Sequence, residues 1–348
     1  LLPRYNNIIY NEECCKRKMR LFLYFHGFML ISSLQIPGMQ DEKARMKKPN
    51  FFIVGAPKCG TTALSEYLRG HPNVFFSQPK DTGFFATDFP GGRVITRFED
   101  YMALFNEVQP NHLRVGEGSV WYLYSREAVR NIYEYNPEAK LLVMLRNPVD
   151  LVHSLHSQLL LSIDEDEKDF ERAWNLQELR KSGKRIPKKC RTPAMLQYRD
   201  VGKLGVQMER LLEVFPKEQV KVILFENFVS DTKAVYEDVL SFLGLNSDGR
   251  KLFPRVNETS KYRSQLVGHF TQTPPDSIIH VWKYIKDTFG INDFGHRVMN
   301  RLRQANTVIR PRTALNGRLR LMLIHEFEED IYSLESIIGR NLSHWVNK

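Results

Sequence analysis

The stretch "FFIVGAPKCGTTALSEYL", residues 51–68, decides the fold. An unbroken apolar run from Phe51 to Val54 gives way to a loop bounded by Gly55 and Gly60, and then to a helix-forming segment. A continuous apolar run is what a strand covered on both faces requires. A strand feeding a glycine-containing loop and a helix is one way a protein cradles phosphate, through successive backbone N–H groups and the helix N-terminus. The spacing Gly55-x4-Gly60 opens like an ATP-binding P-loop, which needs Lys directly after the second glycine. Here that position holds Thr61, and the lysine lies inside the loop at Lys58.

Moving outward, "NVFFS" (73–77) reads as a second strand, and "RVGEGSVWYLYS" (114–125) as a short extended piece leading into a helix through about Tyr135. "AKLLVML" (139–145) has the pattern of a central parallel strand, and Pro148 suits the first turn of the helix that follows. Residues 164–190, acidic first and basic after, read as a surface helix with a loop. "VGKLGVQMERLLEVF" (201–215) is amphipathic, "VKVILFENF" (220–228) reads as a buried strand, and Ser230 or Asp231 caps the next helix. A long helix covers about 316–338. Strands alternating with helices predict an α/β fold, three layers around a central parallel sheet, with ligands beyond the carboxyl ends of the strands.

A chain of 348 residues, 42% hydrophobic and 26% charged, can bury a substantial core. Four scattered cysteines, Cys14, Cys15, Cys59 and Cys190, form neither a disulfide framework nor a zinc site, and fit a reducing compartment. Cys59, in the loop, is expected to be a reactive thiol. The net charge is +10, and residues 1–49 hold nine Lys or Arg against four Asp or Glu. "RLRQANTVIRPRTALNGRLR" (301–320) adds six arginines and no acid. Two readings stand: solvated helix faces, or attraction for a polyanionic cofactor or acceptor. Nucleic acid is not expected, because no recognition-motif spacing accompanies the charge.

Residues 1–48 are read as an extension outside the fold, and 49–348 as one domain. The apolar run from Leu21 to Ile36 follows a basic flank but is shorter than the ~20 residues a bilayer span needs. Translated upstream or non-native sequence, a membrane anchor and an amphipathic helix are the three readings of it. Any membrane association is expected only through residues 21–36, and a soluble cytoplasmic setting is the reading adopted.

At the end of the 139–145 strand, "LRNPVDLVHS" places Arg146 where it can bind phosphate bidentately, with Ser154 two turns into the following helix. Together the two strand ends resemble the sulfotransferase family, which uses 3′-phosphoadenosine 5′-phosphosulfate. "PKCGTTAL" looks like its Pro-Lys-x-Gly-Thr-Thr-x-Leu phosphosulfate loop, and "RNPVDLVHS" like its 3′-phosphate motif. The resemblance covers about residues 49–348. It implies the P-loop nucleotide-hydrolase-like sulfotransferase fold, with Lys58, Cys59, Gly60, Thr61 and Thr62 around the 5′-phosphosulfate and Arg146 and Ser154 on the 3′-phosphate. "NETSKYRSQL" (257–266) is similar to the family's nucleotide-covering loop, implying phosphate contacts from Lys261, Tyr262 and Arg263.

The same resemblance implies in-line sulfuryl transfer to a hydroxyl or amine of a carbohydrate or small molecule. Lys58 would neutralise the leaving phosphate, and no metal is required. A base must take the acceptor's proton. Glycan sulfotransferases of this family carry Glu-x-His-Phe-Phe after the second strand. Aligned on Phe84-Phe85, Asp81 takes the glutamate position and Gly83 the histidine position. Glu117, in "GEGSVWYLYS", is the competing carboxylate, and His153 and His156 are the available imidazoles. Trp121, Tyr122 and Tyr124 could wall an acceptor site. Acceptor choice is expected in loops such as 83–112, 160–195 and 268–300. Two rivals are a P-loop kinase or ATPase, and a non-catalytic polyanion-binding protein on the same fold.

Overall fold

In the computed structural model, residues 48–254, 256 and 314–347 are described, with short pieces at 260–262, 282, 298–299, 301–302, 305 and 307–309. The apolar run 21–36 and Arg263 lie outside the described residues.

Five parallel strands form the central sheet: β1 (Phe51–Gly55), β2 (Val74–Phe76), β3 (Arg114–Gly118), β4 (Lys140–Leu145) and β5 (Val220–Leu224), in the order β2-β3-β1-β4-β5. β1 is central and wholly buried, as its apolar run demands. Each large side chain of that run contributes about 1.5–3 kcal/mol by leaving water. β3 and β4 flank β1 in register, with Phe51 opposite Gly116 on one side and Lys140 on the other. The chain leaves β1 for one side of the sheet and later returns to its other side, so a topological switch lies beside β1.

The helices are α1 (Thr61–Arg69), α2 (Phe98–Ala103), α3 (Ala128–Tyr135), α4 (Pro148–Ser162), α5 (Phe170–Asn175) and α6 (Gln177–Lys181), then α7 (Tyr198–Gly202), α8 (Leu204–Leu212), α9 (Phe225–Ser230), α10 (Thr232–Leu243), α11 (Gly317–Ile338) and α12 (Ser343–Val346). They flank the sheet in a three-layer α/β/α arrangement, with α11 packed on α8 and α4. A separate antiparallel pair, β6 (Ser260–Tyr262) with β7 (Thr307–Ile309), brings β6 close to α4.

Four segments differ from their sequence reading, three of them in where helices and strands begin and end. The segment after β3 does not enter a helix at once: residues 119–127 form turns, and α3 starts at Ala128. Residues 201–215 are not one helix, because Lys203 (φ −76°, ψ 77°) separates α7 from α8. "VKVILFENF" is a strand only to Leu224, then α9, so Phe225 sits at a strand end instead of inside a strand. Asp231, not Ser230, caps α10, accepting from the Ala234 N–H at 2.9 Å.

The charged stretch 164–190 departs most. Asp164, Glu165 and Arg180 are buried. Arg180 donates twice to Glu165, from Nη1 to Oε2 and from Nη2 to Oε1, each at 2.6 Å, and the Tyr198 hydroxyl donates to Oε2 at 2.7 Å. Asp164 accepts two side-chain bonds from Arg191. The segment is pinned by enclosed ion pairs and covers part of the core, through Phe170 and Trp174.

Candidate active site

The loop between β1 and α1 is built to leave donors unspent. Its first amide, on Ala56, donates to the Met144 carbonyl at 2.7 Å and ties the loop to the end of β4. Gly60 precedes α1 with φ 90° and supplies no side-chain cap. The first-turn N–H groups, which have no partner within a helix, are thus left to solvent or an anion. A Cβ on Gly60 would also lie 3.2 Å from the Phe225 ring and 3.3 Å from Met144, so glycine is set here by conformation and space together. Lys58 holds φ 64°, and its ammonium donates to Gln158 Oε1 on α4 at 3.1 Å. Thr61 is buried at the helix start, and Thr62 is half-buried beside it.

Arg146 follows β4 and meets this loop: its Nη1 donates to the Lys58 carbonyl at 3.4 Å. Its guanidinium lies over the Phe225 ring, 4.6 Å from the centroid. Among the described residues no carboxylate pairs with it. Asn147 then caps α4, accepting from the Val149 N–H at 3.0 Å, with Pro148 in the first turn. Ser154, buried, and Gln158 lie a turn apart on that helix. The structure therefore brings Lys58, Gly60, Thr61, Thr62 and Arg146 together at adjoining strand ends.

Sequence reasoning missed the floor and brace of this site. Phe225 was hidden in an apparent strand. The next residue, Glu226, accepts from the Trp345 indole at 2.7 Å and contacts His344 at 2.8 Å, while Asn147 donates to the Trp345 carbonyl at 3.0 Å. The C-terminal α12 thus braces both motif ends. An aromatic immediately after a β-strand was the only signal for Phe225; nothing local showed what Trp345 would brace.

Cys59 does not meet its expectation. It is wholly buried, and burial pushes its thiol up to about 12 against the opposing pull of Arg146. A thiol so placed is a packing residue, not a nucleophile.

Asp81 and Glu117 lie together beside the end of β3. Asp81, at φ 63°, accepts from Lys80 Nζ at 2.9 and 3.0 Å and from the Val120 N–H at 3.0 Å, with its side chain 46% exposed. Glu117 is fully buried; its Oε1 accepts from the Thr82 hydroxyl at 2.9 Å. Its Oε2 has no hydrogen-bond partner among the described residues. Burial raises the carboxyl to about 7, opposed by the Thr82 and Tyr122 hydroxyls.

Gly83 adopts φ 66°, and a Cβ there would stand 2.7 Å from the Gly92 carbonyl oxygen. A histidine at this position would not fit the backbone as it runs here. His156 is buried against the Glu167 carbonyl at 2.8 Å, with burial lowering its pKa, and His153 packs on Phe170. Tyr122 is enclosed, whereas half-buried Trp121 and Tyr124 pack around Phe89. The side chains of Lys261 and Tyr262 are outside the described residues; their backbone lies in β6, next to the helix bearing Ser154. Among the described residues no cluster of His, Cys, Asp or Glu is arranged for a metal ion, and no helix is long and apolar enough to cross a membrane.

Residues 48–267 match the family described as "Sulfotransferase domain". Carbohydrate sulfotransferase 15 of Rattus norvegicus is 28% identical over 298 residues, covering 70% of this chain and 51% of the relative. Bifunctional heparan sulfate N-deacetylase/N-sulfotransferase 3 of Homo sapiens is 28% identical over 208 residues, covering 59% and 23%. The chain spans about half the length of the first of these and less of the second. The crystal structure of a sulfotransferase from Alicyclobacillus acidocaldarius superposes with a TM-score of 0.62 at 29% identity, covering 86% of this chain and 99% of that one. Two strand-end motifs that meet, on a sheet shared with that structure, accord with the domain match over residues 48–267: this protein belongs to the sulfotransferase family.

Proposed function

We propose that the protein transfers a sulfuryl group from 3′-phosphoadenosine 5′-phosphosulfate to a hydroxyl or amine of a carbohydrate or small-molecule acceptor. The observation that carries this reading is the meeting of Arg146 with the Lys58 loop across 3.4 Å. Two anion-binding strand ends that close suit a nucleotide with phosphate at both its 5′ and 3′ positions. Glycan acceptors are favoured because the relatives bear carbohydrate and heparan sulfate names.

In this reading the N–H groups of Gly60, Thr61 and Thr62 and the ammonium of Lys58 surround the 5′-phosphosulfate and stabilise charge on the departing phosphate. Arg146 and Ser154 hold the 3′-phosphate, with Lys261, Tyr262 and Arg263 closing over it. Fixed donors aimed at developing charge, with in-line positioning of the acceptor, are the main catalytic resources here. Asp81 is the base: it lies at the strand ends and reaches solvent, whereas Glu117 does not.

Calorimetric titration with adenosine 3′,5′-bisphosphate, ATP and adenosine 5′-monophosphate tests the donor assignment. Selective binding of the bisphosphate, lost in Arg146→Ala and weakened in Lys58→Ala, is expected. Preference for ATP, or indifference to the 3′-phosphate, would transfer the site to a nucleotide kinase or ATPase. Tight bisphosphate binding without turnover of the phosphosulfate would leave a binding protein.

A further inference from the structure

The turn carrying Asp81 is held residue by residue to the end of β3 and the turn after it. The Asp81 N–H donates to the Gly118 carbonyl at 2.8 Å, and the Val120 N–H donates back to Asp81 Oδ1 at 3.0 Å. The Gly83 N–H donates to Ser119 Oγ at 2.8 Å. Between them Thr82, wholly buried, donates its hydroxyl proton to Glu117 Oε1, and its oxygen lies 3.3 Å from both the Phe84 N–H, from which it accepts, and the Tyr122 hydroxyl. Asp81 sits at φ 63°, a left-handed conformation unusual for a residue with a side chain, and these bonds help hold it there, beside those that the Thr82 carbonyl accepts from the Val94 and Ile95 N–H groups.

A carboxylate is a poor choice if this clamp serves packing alone. Enclosing a charge is costly, and a neutral amide of the same shape would avoid that cost, although its NH2, unlike a carboxylate oxygen, can present a donor to Thr82. Compensation for Glu117 comes chiefly from two hydroxyls, Thr82 and Tyr122. Lys80 and Asp81 approach on the same loop, but Lys80 is engaged with Asp81. Tyr122 comes from the turn after β3, Tyr101 from α2 and Tyr135 from α3, each a neutral phenol.

We propose that Glu117 is a positioning residue that acts through Thr82 to fix the turn presenting Asp81 to the acceptor. This deepens the function proposed above and rests on it. An ionised Glu117 can only accept, so it commits the single Thr82 proton to itself and leaves the Thr82 oxygen to accept from the Phe84 N–H and the Tyr122 hydroxyl. A protonated Glu117 can donate instead, and the hydroxyl loses its fixed sense. Because burial moves this carboxyl to about 7, the turn tightens as pH rises through neutrality.

The test uses Glu117→Gln, Thr82→Val and Thr82→Ser in the full chain, with two readouts. One is turnover of 3′-phosphoadenosine 5′-phosphosulfate to the bisphosphate, with water or a panel of saccharides as acceptor, from pH 6 to 9. Glu117→Gln and Thr82→Val are expected to lower kcat by about tenfold or more, since small misplacement of a reacting group is costly. Bisphosphate affinity should stay near wild type, and Thr82→Ser should retain turnover. The rise in wild-type turnover through neutral pH should vanish in Glu117→Gln. The second readout is hydrogen exchange at the Val120 and Gly83 amides, which needs no acceptor. Exchange should quicken in Glu117→Gln and Thr82→Val but not in Thr82→Ser. Wild-type exchange and an unchanged pH profile in Glu117→Gln would overturn the proposal. Failure of the wild type to bind bisphosphate would instead overturn the donor reading, and the exchange result would still decide the clamp.

Discussion

Arg146 and Arg180 carry the same side chain into two regions and end in opposite circumstances. Arg146 lies on the Phe225 ring, donates to one backbone carbonyl and has no acid partner among the described residues. Arg180 is enclosed, and its fork is fully committed to Glu165. Residues 164–191 use charge to hold a covering segment in place, whereas at the β4–α4 end Arg146 keeps its charge without an acid partner among the described residues. A guanidinium braced by an aromatic face and backbone is poised without being neutralised. One locked in a buried bidentate pair has no capacity left.

The sharpest way to break the comparison is to remove one partner of each kind. Arg180→Ala should cost about 3–5 kcal/mol by stranding Glu165 in the interior, measured by urea denaturation. The folded fraction should keep its bisphosphate affinity. Arg146→Ala should do the reverse: a loss of about 2–3 kcal/mol in bisphosphate binding, the worth of a charge-assisted bidentate contact, with stability little changed. If Arg146→Ala unfolds the protein, or Arg180→Ala abolishes binding without lowering stability, the division is wrong.

The buried carboxylates sharpen it further, because their signs differ. Burial works to raise Glu165, but bonds from Arg180, the Glu167 N–H and Tyr198 hold it below its ordinary value. Its contribution is present above the unfolded pKa and is lost as pH falls through the folded one. Glu117 is raised, so the folded protein keeps that proton up to about pH 7 while the unfolded chain releases it near 4.5. Stability should therefore fall as pH rises across that window, by on the order of 3 kcal/mol from this group. Glu117→Gln should flatten that slope, and equal slopes in wild type and variant would remove the charge from the account. The smallest effect concerns Cys59: iodoacetamide at neutral pH should leave it unmodified in the native protein and label it in urea, read by peptide mass. Labelling in the native state would restore the reactive-thiol expectation.

The strand-end motifs were legible because they are local. Gly55, Lys58, Gly60, Thr61 and Thr62 lie within one strand–loop–helix unit, and Arg146 and Ser154 within another. Burial on both faces forced the apolar runs of β1 and β4, so their ends, and hence the motif positions, could be read directly. Phe225 was misplaced because an apolar aromatic after a strand looks the same whether the chain extends or turns into a helix. The charged run 164–190 was misread because charge predicts exposure until a partner is known. Glu165 finds Arg180 fifteen residues away and Tyr198 thirty-three away.

The sequence by itself determined a parallel α/β sheet, the positions of two strand-end motifs and the resemblance to a family whose motifs are contiguous. Contiguous motifs carry their own backbone geometry, so residue identity and spacing suffice. Only the tertiary structure decided that Arg146 reaches the Lys58 loop and that Gly83 leaves no room for a histidine. It also decided that Asp81 meets solvent while Glu117, opposite the centre of β1, is sealed beneath Thr82. Burial and hydrogen-bond partnership depend on which distant segments fold over a residue, and they set the proton affinity and reach of an acid.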